Sequence, residues 1–183
     1  MSIRDARRTA SLLTTNTMAL DHVKIQTDIL KNFVKNLDDP VQATMESFRG
    51  DLPDIVSEME EVQAALAEFR SGCWGNCGEA VGQIVAMFGK SCGLPGSFQG
   101  ALASVLAHKD DYVTAVRKNI LAGGDCSSRA LFIGACLGAK LGVEAIPVEW
   151  IEKVNGIEKI LQDLIMVYSP HVVRLPTNRR SEF

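Results

Sequence analysis

The chain has 183 residues, 46% of them apolar and 22% charged, which fits one globular domain able to bury a real core. Nineteen basic and twenty-two acidic side chains give a net charge of −3 with the signs mixed along the sequence, so no phosphate-binding stripe is built in and nucleic acid is excluded as the main partner. The longest apolar run, Ala130 to Ala139, is ten residues, half of what a bilayer crossing needs, so no membrane span is expected.

At the start, Arg4, Arg7 and Arg8 precede apolar residues that Ser and Thr keep interrupting. The continuous core of a secretory signal is missing, while an Arg- and Thr-rich opening leaves a mitochondrial reading open. Five cysteines are an odd number, which points to a reducing compartment, and a cytoplasmic location is expected. Cys73 and Cys77 have zinc-ligand spacing but no second pair in the neighbouring sequence, so a half-site stands beside the simpler reading of two packing cysteines near Trp74.

Up to residue 71 the apolar positions keep a helical period. Ile25, Ile29, Leu30, Phe33, Val34 and Leu37 share one face, and Ile55, Met59, Val62, Leu66 and Phe69 share another. Asp39-Pro40 is a start signal for a short helix to about Arg49, and Asp51-Leu52-Pro53 for a longer one. Asp51, Asp54, Glu58, Glu60, Glu61 and Glu68 mark its solvated side. That acidic face would be the contact surface if the chain were a helical interaction module. Asp21-His22 reads as part of a polar helix face.

Fourteen of the fifteen glycines lie between Gly72 and Gly156, so the second half is built of smaller-faced helices. One is expected from about Gly78 to Phe88, and another from a Ser97 cap to His108. A third is capped by Asp110, with Val113, Val116, Ile120 and Leu121 inward, and stops at Gly123-Gly124. Asp125 then opens an Ala/Gly-rich helix to Leu141, whose Gly134, Gly138 and Gly142 recur every four residues. This stripe predicts close helix packing, a central position in the fold, and overpacking by Gly138→Leu. Trp150 reads as a packing aromatic. No period-2 strand pattern appears, so the fold class is all-α, a compact bundle around that central helix. One domain over 1–167 and a surface or disordered tail over 168–183 are expected.

The stretch Gly123-Gly124-Asp125-Cys126-Ser127-Ser128-Arg129 carries the most chemistry. A tight double-glycine turn into a helix should leave backbone N–H groups open to an anion, or present oxygens to a hard cation. The plainer alternative makes Asp125 an N-cap and Ser128 a first-turn residue. Cys126, beside Arg129 at a helix start, is either a reactive thiolate or a buried inert thiol.

These words, with Gly142 to Trp150 (Gly-Val-Glu-Ala-Ile-Pro-Val-Glu-Trp), Phe88 to Leu102 and Val116 to Ile120, resemble the ADP-ribosylglycohydrolase family, and within it the branch of the J1 crystallins and selenoprotein J. The resemblance covers roughly residues 85 to 153. It implies an all-α fold, hydrolysis of the bond that joins ADP-ribose to an acceptor, and two magnesium ions. The family pattern at this helix start is Gly-Gly-Asp-Thr-Asp-Thr/Ser. Gly123, Gly124, Asp125 and Ser128 match it, Cys126 replaces Thr, and Ser127 stands where the second Asp belongs. The resemblance therefore assigns Asp125 and Ser128 to a residual metal site, and Gly123, Gly124, Cys126 and Ser127 to an ADP-ribose-type ligand.

The family's other acids come from a Gly-Asp stretch and a Thr-Asp-Asp stretch nearer the N-terminus. Asp38-Asp39-Pro40 is preceded by Leu37, and helix capping is its expected role. The chain then reads as the C-terminal part of a longer fold. Within the family two functions stay open beside the interaction-module reading: a catalytically degenerate, structural or ligand-binding protein of J1-crystallin type, or part of an active magnesium-dependent hydrolase. Self-association through surface that the missing part would cover is a further expectation.

Overall fold

A computed structural model describes the backbone of residues 2–71 and 77–168, and the side chains of 2–69 and 80–163. Among them every regular element is helical: α1 (Ile3–Ala10), α2 (Thr17–Val34), α3 (Pro40–Phe48), α4 (Pro53–Ser71), α5 (Cys77–Phe88), α6 (Gly96–Ala107), α7 (Tyr112–Leu121), α8 (Cys126–Leu141), α9 (Val148–Ile151) and α10 (Ile157–Tyr168), with a 3-10 turn at Val143–Ala145. The all-α expectation holds. The Cys73, Trp74 and Cys77 side chains and the tail beyond 168 lie outside the described residues.

Local chemistry explains several helix starts. Asp39 accepts from the Gln42 N–H at 2.9 Å with Pro40 at the first helical position, the capping role expected of it. Helix α1, which the interrupted apolar pattern hides, is fixed by a capping box between Ser2 and Asp5. Two starts differ from expectation. Asp111, not Asp110, caps α7 through the Thr114 N–H at 2.9 Å, leaving Asp110 to hold Lys140 at 2.8 Å. Helix α6 begins at Gly96, without the Ser97 cap.

Ile25, Ile29 and Phe33 of α2 and Ile55, Met59, Val62 and Leu66 of α4 enter one core with α6 and α8, as their periodicity requires. Val34 and Leu37, at the end of that α2 face, are exposed. Helix α6 is the central one: every residue from Phe98 to Val105 is buried, and it packs on α4, α5, α7 and α8. This corrects the central place expected for α8, whose Leu131 is 77% exposed. The glycine stripe is not a packing seam. A Cβ at Gly138 would meet no atom within 4 Å, and one at Gly134 would only touch the Tyr112 hydroxyl at 3.4 Å, so the close backbone approach behind the overpacking expectation is absent at these two glycines. In α7 the buried residues are Ala115 and Asn119, while Ile120 and Leu121 are 56% and 77% exposed.

Polar groups bind the layers where periodicity alone expects water. His22 is buried, its Nε2 2.9 Å from Glu58 and its Nδ1 2.9 Å from the Met18 carbonyl. Both ring nitrogens thus face oxygens, and the ring ties α2 to α4. Gln99 of α6 donates to Glu61 at 3.0 Å and to the Glu58 carbonyl at 3.3 Å. Two acids of the supposedly solvated α4 face are therefore ties to α2 and α6. Between α2 and α3, Asp28, Asn32 and Thr44 form a buried network, with Thr44 Oγ1 donating to Asp28 at 3.2 Å and Asn32 Nδ2 to Thr44 at 3.0 Å. No helix among the described residues is long and apolar enough to cross a membrane.

Candidate functional site

The candidate site is the start of α8 and what holds it there. Gly123 and Gly124 have φ of +72° and +66°, left-handed values that favour glycine. At Gly124 there is no room either, since a Cβ would overlap the Lys90 carbonyl oxygen and Cβ. Asp125 then donates its N–H to the same Lys90 carbonyl at 2.7 Å. The loop after α5 and the turn before α8, far apart in sequence, are thereby clamped face to face.

Arg129 braces the turn from beneath. It is 1% exposed, donates Nε to Asn119 Oδ1 at 2.8 Å, and gives Nη2 to the Gly123 carbonyl. Asn119 in turn donates Nδ2 to the Cys126 carbonyl at 2.8 Å. Gly100 of α6 makes space for the guanidinium stem, since a Cβ there would sit 3.0 Å from Arg129 Cδ. Burial pulls the Arg129 guanidinium below its ordinary value, with Cys126 and Asp125 working the other way. Its Nη1 is buried with no hydrogen-bond partner among the described residues, a cost that the other contacts of this side chain must outweigh.

At the surface of the turn, Asp125 is the cap of α8 and accepts three hydrogen bonds. Oδ1 accepts from the Ser127 hydroxyl at 2.7 Å and the Ser128 N–H at 3.2 Å, and Oδ2 accepts from the Ser128 hydroxyl at 2.6 Å. Those bonds, Ser128's hydroxyl first and Ser127's next, hold its carboxyl group at about 2. The N–H groups expected to be open are largely taken: Asp125's by Lys90, Cys126's by the Gly124 carbonyl at 2.9 Å, and Ser128's by Asp125. Of the assigned residues, Gly123, Gly124, Asp125, Cys126, Ser127 and Ser128 are brought together, but as a closed hydrogen-bonded turn. Asn119 and Lys90 complete it. Both lie inside stretches that carried the family resemblance, though nothing in their spacing told their roles.

The donor set does not fit magnesium. That ion requires near-octahedral oxygen coordination and is costly to dehydrate. Here one carboxylate already accepts from two hydroxyls, and a buried guanidinium lies one turn behind it. Among the described residues no three His, Cys, Asp or Glu side chains gather as a metal would need.

A family model described as ADP-ribosylglycohydrolase matches residues 4–174. The chain belongs to the ADP-ribosylglycohydrolase family. Crystallin J1A of Tripedalia cystophora is 42% identical over 78 residues, 43% of this chain and 24% of that protein. Crystallin J1B of the same animal is 33% identical over 91 residues, 50% of this chain and 26% of that protein. The aligned part of the chain thus spans about a quarter of either crystallin. No solved structure matches. Family membership extends the expected resemblance well upstream of residue 85, into the α1–α4 layer.

Proposed function

We propose that the chain is a catalytically degenerate ADP-ribosylglycohydrolase-family protein of J1-crystallin type, serving a structural or ligand-binding role. One observation carries the reading. The acid at the family's metal-binding turn is spent on Ser127 and Ser128, and Ser127 itself occupies the place of the second acid. A neutral hydroxyl is a poor replacement for a carboxylate on a hard divalent cation. An ADP-ribose-type ligand is the candidate for the surface of Gly123, Gly124, Cys126 and Ser127. Exposed leucines, with Leu12, Leu13 and Leu131 at 82%, 89% and 77%, support self-association. The odd cysteine count supports a cytoplasmic location.

The second reading, part of a magnesium-dependent hydrolase, rests on the short span of the chain within its relatives. Calorimetry with magnesium separates the two. The wild-type chain is expected to give no magnesium heat at about millimolar concentrations, and Ser127→Asp to gain measurable affinity by restoring the second carboxylate. Tight magnesium binding by the wild type would overturn the degenerate reading. Calorimetry with ADP-ribose tests the ligand: saturable heat supports a binding role at this turn, and none leaves the structural role.

A further inference from the structure

At the opposite end of α8 a cleft of about 270 Å³ opens between the turn 35–39, α4, the turn 108–111 and Lys140. Its floor is apolar and buried, with Val41 and Leu66. Its charges are divided by element: Asp38 and Asp39 come from one turn, Lys109 and Lys140 from the other turn and the end of α8. Yet among the described residues no ion pair within 4.0 Å joins either acid to either lysine. Lys140 is held instead by Asp110 at 2.8 Å, and Asp39 Oδ1 accepts from the Gln42 N–H. Asp38 and Lys109 are thus left lining one cleft without neutralising each other.

We propose that this cleft binds a small zwitterion with an apolar body, of the kind an apolar α-amino acid represents. The ammonium would meet Asp38, the carboxylate Lys109, and the apolar body the floor. A ligand carrying only one charge would satisfy one of these two groups and meet like charge at the other, whereas a zwitterion complements both. The volume lies just under the usual range of ligand pockets, which starts at about 300 Å³, so the ligand is small. The cleft is formed by residues other than those of the Gly123–Ser128 turn and is independent of the role assigned to it.

Calorimetry and thermal shift on the full chain test this with four probes: phenylalanine, leucine, phenylpropionate and phenethylamine. Phenylalanine or leucine should bind, with the single-charge analogues weaker by about tenfold. Asp38→Asn and Lys109→Gln should each weaken the amino acid by about threefold to tenfold. Asp38→Asn should also erase its advantage over phenylpropionate. Both positions are exposed, so circular dichroism is expected to show unchanged folding. No binding of either amino acid at about 10 mM, equal binding of the analogues, or indifference to both substitutions in folded variants overturns the proposal.

Discussion

Gly124, just before α8, and Gly138, in its C-terminal half, have opposite physical meanings. At the N-terminal end Gly124 has positive φ and lies against the Lys90 backbone, with Arg129 and Asn119 locking the turn from within. Along the C-terminal half Gly138 has an ordinary helical backbone and open space where a side chain would go. A glycine matters where conformation or contact forbids a Cβ, and a repeat every four residues tells neither.

The difference can be broken at several points. Removing the brace should cost most. Arg129→Ala strips partners from Asn119 Oδ1 and the Gly123 carbonyl and leaves a cavity beside α6, so urea unfolding should show a loss of about 3–5 kcal/mol. Gly124→Ala combines a left-handed φ with overlap on Lys90, and a loss of about 2–4 kcal/mol is expected in the same measurement. Gly138→Ala should instead stabilise the chain by about 0.5–1 kcal/mol, since it adds helix propensity in free space. A loss at Gly138 as large as that at Gly124 would erase the distinction between the two glycines.

The smallest effect is one of pH. Asp125 is held at about 2 against an ordinary 3.8. Because the folded value is depressed, its contribution is present above about pH 4 and fades as pH falls toward 2. Comparing acid unfolding of wild type and Asp125→Asn should show a difference that changes in that window and is flat above it.

Much of the fold was legible because the amphipathic periods of α2 and α4 and the Asp-Pro and Asp-x-Pro start signals are local chemistry. What misled was also physical. His22, Glu58, Glu61 and Gln99 look like surface residues until α2, α4 and α6 meet and pair them. Ile120 and Leu121 follow a helical period, yet α7 turns Ala115 and Asn119 inward because Asn119 must reach Arg129 and Cys126. Of the site, the double-glycine turn and the Asp125 cap were readable from residue type. The clamp on Lys90 was not, since no spacing relates residue 90 to residue 124.

The decisive property of this closed turn is whether it can still support hydrolysis. The direct measurement is ADP-ribose release from an ADP-ribosylated substrate by the purified chain with magnesium at about millimolar concentration. No release above the protein-free control is predicted, and Arg129→Ala should change stability without creating or removing turnover. Magnesium-dependent release by the wild-type chain, abolished by Asp125→Ala, would contradict it.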